Sequence, residues 1–80
     1  MPKTIQELIA WLEANPEQRI SKLDDEMYLC IDRWRDSVAN HTTSSVQLAN
    51  PKQLLGYIKA AREIMGDDIL SDIEHSFKSY

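Results

Sequence analysis

The sequence predicts an all-α fold: a compact small bundle of three main helices plus a short C-terminal fourth helix. Three observations predict it. Apolar residues recur at three- and four-residue spacing in four separate segments, the signature of amphipathic helices. Two Gly and three Pro in 80 residues are too few to punctuate a many-stranded β fold. Helix-start chemistry is also explicit, because the string Ala-Asn-Pro-x-Gln occurs at residues 14–18 and again at 49–53. There Asn supplies a cap acceptor, Pro has no amide to satisfy, and Gln can bond back to the cap. Eighty residues make one domain spanning 1–80, and a chain of that size buries only about 60% of its unfolded surface.

The first helix is expected from Ile5 to Ala14. Thr4 and Glu7 form a capping box, and Ile5, Leu8, Ile9 and Leu12 share one face. Asn15 and Pro16 end it. Trp11 falls roughly 110° from the centre of that face at ~100° per residue, which puts the largest side chain at the border and makes it a candidate contact residue. A short turn is expected between Glu17 and Lys22. The second helix, the spine of the fold, is expected from about Lys22 to Ala39, capped by Ser21 and carrying Leu23, Met27, Cys30, Ile31, Trp34 and Val38 inward. Asp24, Asp25 and Glu26 then suit the positive end of its dipole. Leu29 points nearly opposite that core face, among Asp25, Asp32, Arg33 and Asp36.

Residues 40–49 are rich in hydroxyl side chains that compete with helix hydrogen bonding, so they read as the main loop, with Val46 and Leu48 as anchors. The third helix starts at the Asn50 cap and Pro51. It presents Leu54, Tyr57, Ile58, Ala61, Ile64 and Met65 as a broad apolar face until Gly66 stops it. Asp67 and Asp68 open the fourth helix, which turns Ile69, Leu70, Ile73 and Phe77 inward, while Tyr80 either closes the core or frays. The expected core is Leu8, Leu12, Met27, Ile31, Trp34, Leu54, Ile58, Met65, Ile73 and Phe77.

Composition narrows the function classes. With one cysteine there is no internal disulfide framework, which for so small a chain points to a reducing compartment, the cytoplasm by default. No signal-like or membrane-spanning run is visible. Cys30, His41 and His75 fall on three different elements with no metal-ligand spacing, so no metal or other cofactor is expected. Cys30 lies on the core stripe, where a thiol is usually inert packing, and no Gly-rich phosphate loop exists, so no catalytic residue is assigned and the chain is not expected to be an enzyme. Ser37, near the end of the second helix, reads as an ordinary helix residue.

A net charge of -4 disfavours nucleic acid as a partner. A helix-turn-helix-like DNA-binding regulator, formed by the third and fourth helices, is one alternative. Its recognition helix would bring Asp67, Asp68, Asp72 and Glu74, against only Lys78, to the phosphates, so any attraction would have to come from the Lys52, Lys59 and Arg62 stripe. Elimination leaves a noncatalytic protein-binding module. Its plausible role is that of an inhibitor or regulator that docks an acidic face on the basic surface of another protein, such as a nucleic-acid-processing enzyme. The candidate partner-binding residues are Asp25, Leu29, Asp32 and Asp36, one stripe of the second helix, with Trp11 as an aromatic anchor. The competing class is a structural homo-oligomer, a homodimer for example, with a self-contact through Leu29 or Trp11.

Overall fold

The computed structural model describes residues 1–42 and 45–79; Thr43, Ser44 and Tyr80 lie outside that range. Four α-helices make the fold: α1 (Ile5–Ala14), α2 (Asp25–Ala39), α3 (Pro51–Met65) and α4 (Asp68–Lys78), with a single 3-10 turn at Ile20–Lys22 before α2. There is no strand among the described residues. The fourth helix, at 11 residues, is no shorter than α1 at 10. The main contacts pair α2 with α4 and α1 with α3, and α3 also packs on α4. The radius of gyration, 11.4 Å, is close to the ~11.6 Å of a well-packed chain of this length.

Local chemistry sets most helix ends. Thr4 is the cap of α1, its Oγ1 accepting from Glu7 N at 3.2 Å. Asn50 caps α3 through Oδ1, which accepts from Gln53 N at 3.2 Å, while Gln53 Oε1 accepts from Ala49 N at 2.6 Å. The reciprocal bond thus reaches one residue before the cap. Lys52 N, the other early donor of α3, bonds to Pro16 O at 3.2 Å, and Ile20 N bonds to Ala49 O at 3.1 Å. The two copies of Ala-Asn-Pro-x-Gln therefore lie side by side, the first closing the helix start that the second opens. In the first copy Asn15 only ends α1, its backbone N–H and its Nδ2 both donating to Trp11 O at 3.1 and 2.9 Å.

The second helix starts later than the spacing predicts. Asp24, not Ser21, is its cap, with Oδ1 accepting from Met27 N at 2.8 Å. Upstream, Leu23 N bonds to Ile20 O at 3.1 Å, and Leu23 takes an extended conformation with ψ 156°. An aspartate at the cap competes better for the first-turn amides than a continued helix through Leu23 would.

Eight of the ten expected core residues are buried, and two are not. Met27 is half-buried at the core edge, and Met65 is 52% exposed. The apolar stripe of α3 runs by periodicity to the helix end, whereas its last buried residue is Ala61. Ile5, Ile20, Val38 and Ile69 join the core, and the loop is anchored by buried Val46 and half-buried Leu48. At the α2–α4 contact the Trp34 and Phe77 rings stack with centroids 3.8 Å apart and planes 5° from parallel. Trp34 Nε1, fully buried, donates to Pro2 O at 3.1 Å. That bond pins the N-terminal arm against α2 and satisfies an indole N–H that burial would otherwise leave costly.

Two bonds between distant residues finish the frame. Glu74 Oε1 on α4 accepts from Ile5 N at 2.6 Å, so α1 receives a second, charged cap from the other end of the chain. Arg33 on α2 donates from a terminal guanidinium nitrogen to Phe77 O at 2.9 Å, satisfying one of the last carbonyls of α4 with a cation at its negative end.

Candidate functional site

The acidic stripe of α2 faces outward, as its spacing requires. Asp25 is exposed in the first turn and Leu29 is 60% exposed in the middle of the helix. Asp32 and Asp36 are only partly exposed, because Arg35 lies between them, with Nε 3.2 Å from Asp32 Oδ1 and a terminal nitrogen 2.9 Å from Asp36 Oδ1. The second contact is a hydrogen bond; the first is an ion pair whose angle misses hydrogen-bond geometry. Pairs this close to solvent contribute about 0–1 kcal/mol to stability. Their larger effect is electrostatic: the single Arg35 charge cancels one of the stripe's three carboxylates, Asp25, Asp32 and Asp36.

Trp11 stands apart. It is half-buried against the core from α1, which packs chiefly on α3 and α4 rather than α2. The structure thus brings Asp25, Leu29, Asp32 and Asp36 onto one face and leaves Trp11 on another element.

Beside Leu29 lies a half-open cleft of about 490 Å³. Leu29, Cys30 and Phe77 supply apolar walls, Lys3, Arg33 and Lys78 supply cations, and Met1 and Glu26 complete the lining. Arg33 forms one wall with a fixed orientation: its guanidinium carbon lies 4.6 Å from the centre of the Phe77 ring, over its face, in addition to the bond to the Phe77 carbonyl. Lys78 Nζ is 3.4 Å from Glu74 Oε2. The Cys30 thiol is buried and donates to Pro2 O at 3.4 Å. Burial pushes its pKa up, against the smaller opposing pull of the chain's amino terminus, Arg33 and Lys3, so the sulfur is a neutral part of the cleft wall at ordinary pH.

Sequence reasoning identified Leu29 but missed this cleft, since its walls come from the N-terminal arm, α2 and the end of α4. The one available signal was Arg33, four residues after Leu29 and so on the same side of the helix.

A smaller recess of about 190 Å³ lies at the far end of α3, among His41, Tyr57, Ala60 and Met65, next to Ile64, which is 81% exposed. The basic stripe of α3 is weakened by an ion pair, Arg62 Nε to Asp67 Oδ1 at 2.6 Å, while Lys52 and Lys59 are exposed. Among the described residues no group of three or more His, Cys, Asp or Glu side chains is placed to hold a metal ion, and no helix is long and apolar enough to cross a membrane. Comparison with protein families, curated proteins and solved structures finds no match to this chain.

Proposed function

We propose that this chain is a noncatalytic protein-binding module, an inhibitor or regulator that docks the outer face of α2 on a basic surface of another protein. The observation that carries the reading is Leu29, a large aliphatic side chain 60% exposed in mid-helix, flanked by Asp25 and Asp32 and bordering a cleft. An apolar anchor within a charged ring is the usual arrangement of an interface centre, where the anchor gives affinity and the charges give rate and orientation. The acidic flank selects a basic partner surface, of the kind that nucleic-acid-processing proteins present. A lone buried cysteine suits a reducing compartment, the cytoplasm in this reading.

Affinity capture from host cells, comparing the wild type with Leu29→Glu and with charge reversal at Asp25, Asp32 and Asp36, tests the reading. A stoichiometric partner retained by the wild type, lost with Leu29→Glu and weakened by salt and by charge reversal is the expected result. A partner retained equally by all three proteins removes α2 as the site.

A homo-oligomer is the second reading, and a specific observation favours it. Ile64 and Met65, at 81% and 52% exposure, adjoin a recess on the same end of α3, so a self-contact fits there better than at Leu29 or Trp11. Light scattering over a concentration series decides this, since a monomer throughout eliminates it. DNA binding is the least supported alternative, because Asp68 and Asp72 of α4 are exposed and Arg62 is tied to Asp67. Absence of duplex binding at low salt would end it.

A further inference from the structure

The outer face of α3 is apolar along its C-terminal half, where the solvent side of a helix is ordinarily charged. Gly56, Ala60 and Ile64 follow one another at four-residue spacing and are all exposed; at ~100° per residue, Gly56 and Ile64 stand within about 40° of Ala60, on either side of it. Half-buried Tyr57 lies beyond Ile64 on one flank, and exposed Lys59 and Glu63 lie beyond Gly56 on the other. Among the described residues no ion pair engages Lys59 or Glu63. Arg62, two residues after Ala60, points to the opposite side of the helix and is tied to Asp67 at 2.6 Å. The adjoining recess of about 190 Å³ falls below the roughly 300–1,000 Å³ of small-molecule sites. It suits a single aliphatic side chain.

We propose that this face binds a second copy of the chain, α3 against α3 in antiparallel orientation about a two-fold axis level with Ala60 and Ala61. The charges choose both the occupant and the direction. A flank that carries Lys59 and, one turn later, Glu63 is its own complement when run backwards: Lys59 of each copy stands opposite Glu63 of the other, giving a symmetric pair of contacts. A parallel arrangement would instead set Lys59 against Lys59 and Glu63 against Glu63. The same axis brings Ile64 level with Tyr57 of the second copy, at the recess that Tyr57 helps to line. Gly56 and Ala60 present almost no side chain between the two helices, so their axes can come close. One helix face makes a small interface, below about 1,200 Å² in total, so the dimer is weak. The inference rests on the second reading above, self-association at the end of α3, to which it adds a register, and it leaves the α2 face free for another protein.

Sedimentation equilibrium of the full chain at concentrations up to about 1 mM tests the proposal, with Leu29→Glu as a control on α2. The wild type is expected to dimerise reversibly, Leu29→Glu to match it, and Ile64→Glu to stay monomeric. Lys59→Glu and Glu63→Lys each turn the attractive contacts into repulsive ones and weaken the dimer about tenfold. Mixed in equal amounts, these two variants form a heterodimer of wild-type strength, because each supplies the charge that the other lacks. A change confined to one chain's own helix would not recover on mixing. All four substitutions fall at exposed positions, so helix content by circular dichroism stays at the wild-type value. A dimer lost with Ile64→Glu but indifferent to the charge variants, or not recovered by mixing them, overturns the antiparallel register and leaves the self-association reading standing. A dimer that Ile64→Glu leaves intact, or that Leu29→Glu abolishes, overturns this face as the contact, and a monomer at every concentration overturns both the inference and the reading beneath it.

Discussion

Replacing Glu74 separates a tertiary helix cap from an ordinary surface charge. Its Oε1 accepts from Ile5 N at 2.6 Å, Ile5 is 2% exposed, and the Glu74 side chain is only a quarter exposed, so water does not readily take the carboxylate's place. A hydrogen bond to a charged group contributes about 1.5–3 kcal/mol, and an anion at a helix N-terminus about 0.3–1 kcal/mol more. The Lys78 pair, with the lysine 56% exposed, is discounted to at most a few tenths of a kcal/mol for solvent screening. Glu74→Ala is therefore expected to cost about 2–3 kcal/mol, against a total stability of ~4–12 kcal/mol for a chain of this size. At ~4–8 °C per kcal/mol, Tm falls by about 10–20 °C.

Glu74→Gln keeps the acceptor and loses the charge, so about 1 kcal/mol is expected. The pH dependence then supplies an independent check. The bond to Ile5 N, more than the lysine, holds the Glu74 carboxyl below its ordinary pKa. Its contribution is fully present above the unfolded-state pKa of about 4.3 and is lost as pH falls through the lower folded value. Wild type and Glu74→Gln should consequently differ at pH 7 and converge as pH falls below about 4. Urea unfolding followed by circular dichroism at several pH values measures both effects. A Glu74→Ala cost under ~0.5 kcal/mol, the scale of an ordinary surface substitution, or a wild-type-to-Gln difference that does not change with pH, would refute the reasoning.

Ser37 gives the opposite sign. Its Oγ is fully buried without a hydrogen-bond partner, so Ser37→Ala should raise stability by ~0.5–2 kcal/mol, and a lower urea midpoint would contradict this. The two glycines make a matched pair, because a Cβ meets nothing within 4 Å at either. Gly66 has φ 81° and ψ -175°, a conformation that only glycine adopts easily, so Gly66→Ala should destabilise by about 1–3 kcal/mol. Gly56 lies inside α3, and Gly56→Ala should stabilise by ~0.5–1 kcal/mol; equal effects at the two sites would be inconsistent with a backbone origin. Asn50→Ala removes the Gln53 amide's side-chain acceptor and is expected to lower Tm by an amount matching about 1 kcal/mol, measurable by calorimetry.

Much of the fold was legible because helix ends and helix faces are local problems. Thr4 with Glu7, Asn50 with Gln53, and Gly66 each sit within a few residues of the groups they satisfy, so spacing alone located α1 and α3 to the residue. The error at α2 was also local: Ser21 and Asp24 are both cap residues, and only the extended conformation of Leu23 selects Asp24. Met65 shows where periodicity stops being informative. A stripe continues to the end of a helix whether or not anything covers its last turn. The candidate site was half legible in the same way: the outward direction of Leu29 and of the acids follows from helical angles, but the partial neutralisation by Arg35 and the adjoining cleft do not.

By itself the sequence determined that there are four helices, most of their buried faces and the acidic outer stripe of α2, since each depends on contacts a few residues apart whose geometry the α-helix fixes in advance. Tertiary structure decided which distant groups meet. It gave α1 a second cap from Glu74, closed the start of α3 with Pro16, pinned Pro2 to Trp34, and set Arg33 on Phe77 at the wall of a cleft. No helical period connects such pairs. A buried N–H, a helix-end carbonyl or an indole must find a partner, but several distant side chains can serve, and only the packing of the helices determines which one comes within reach.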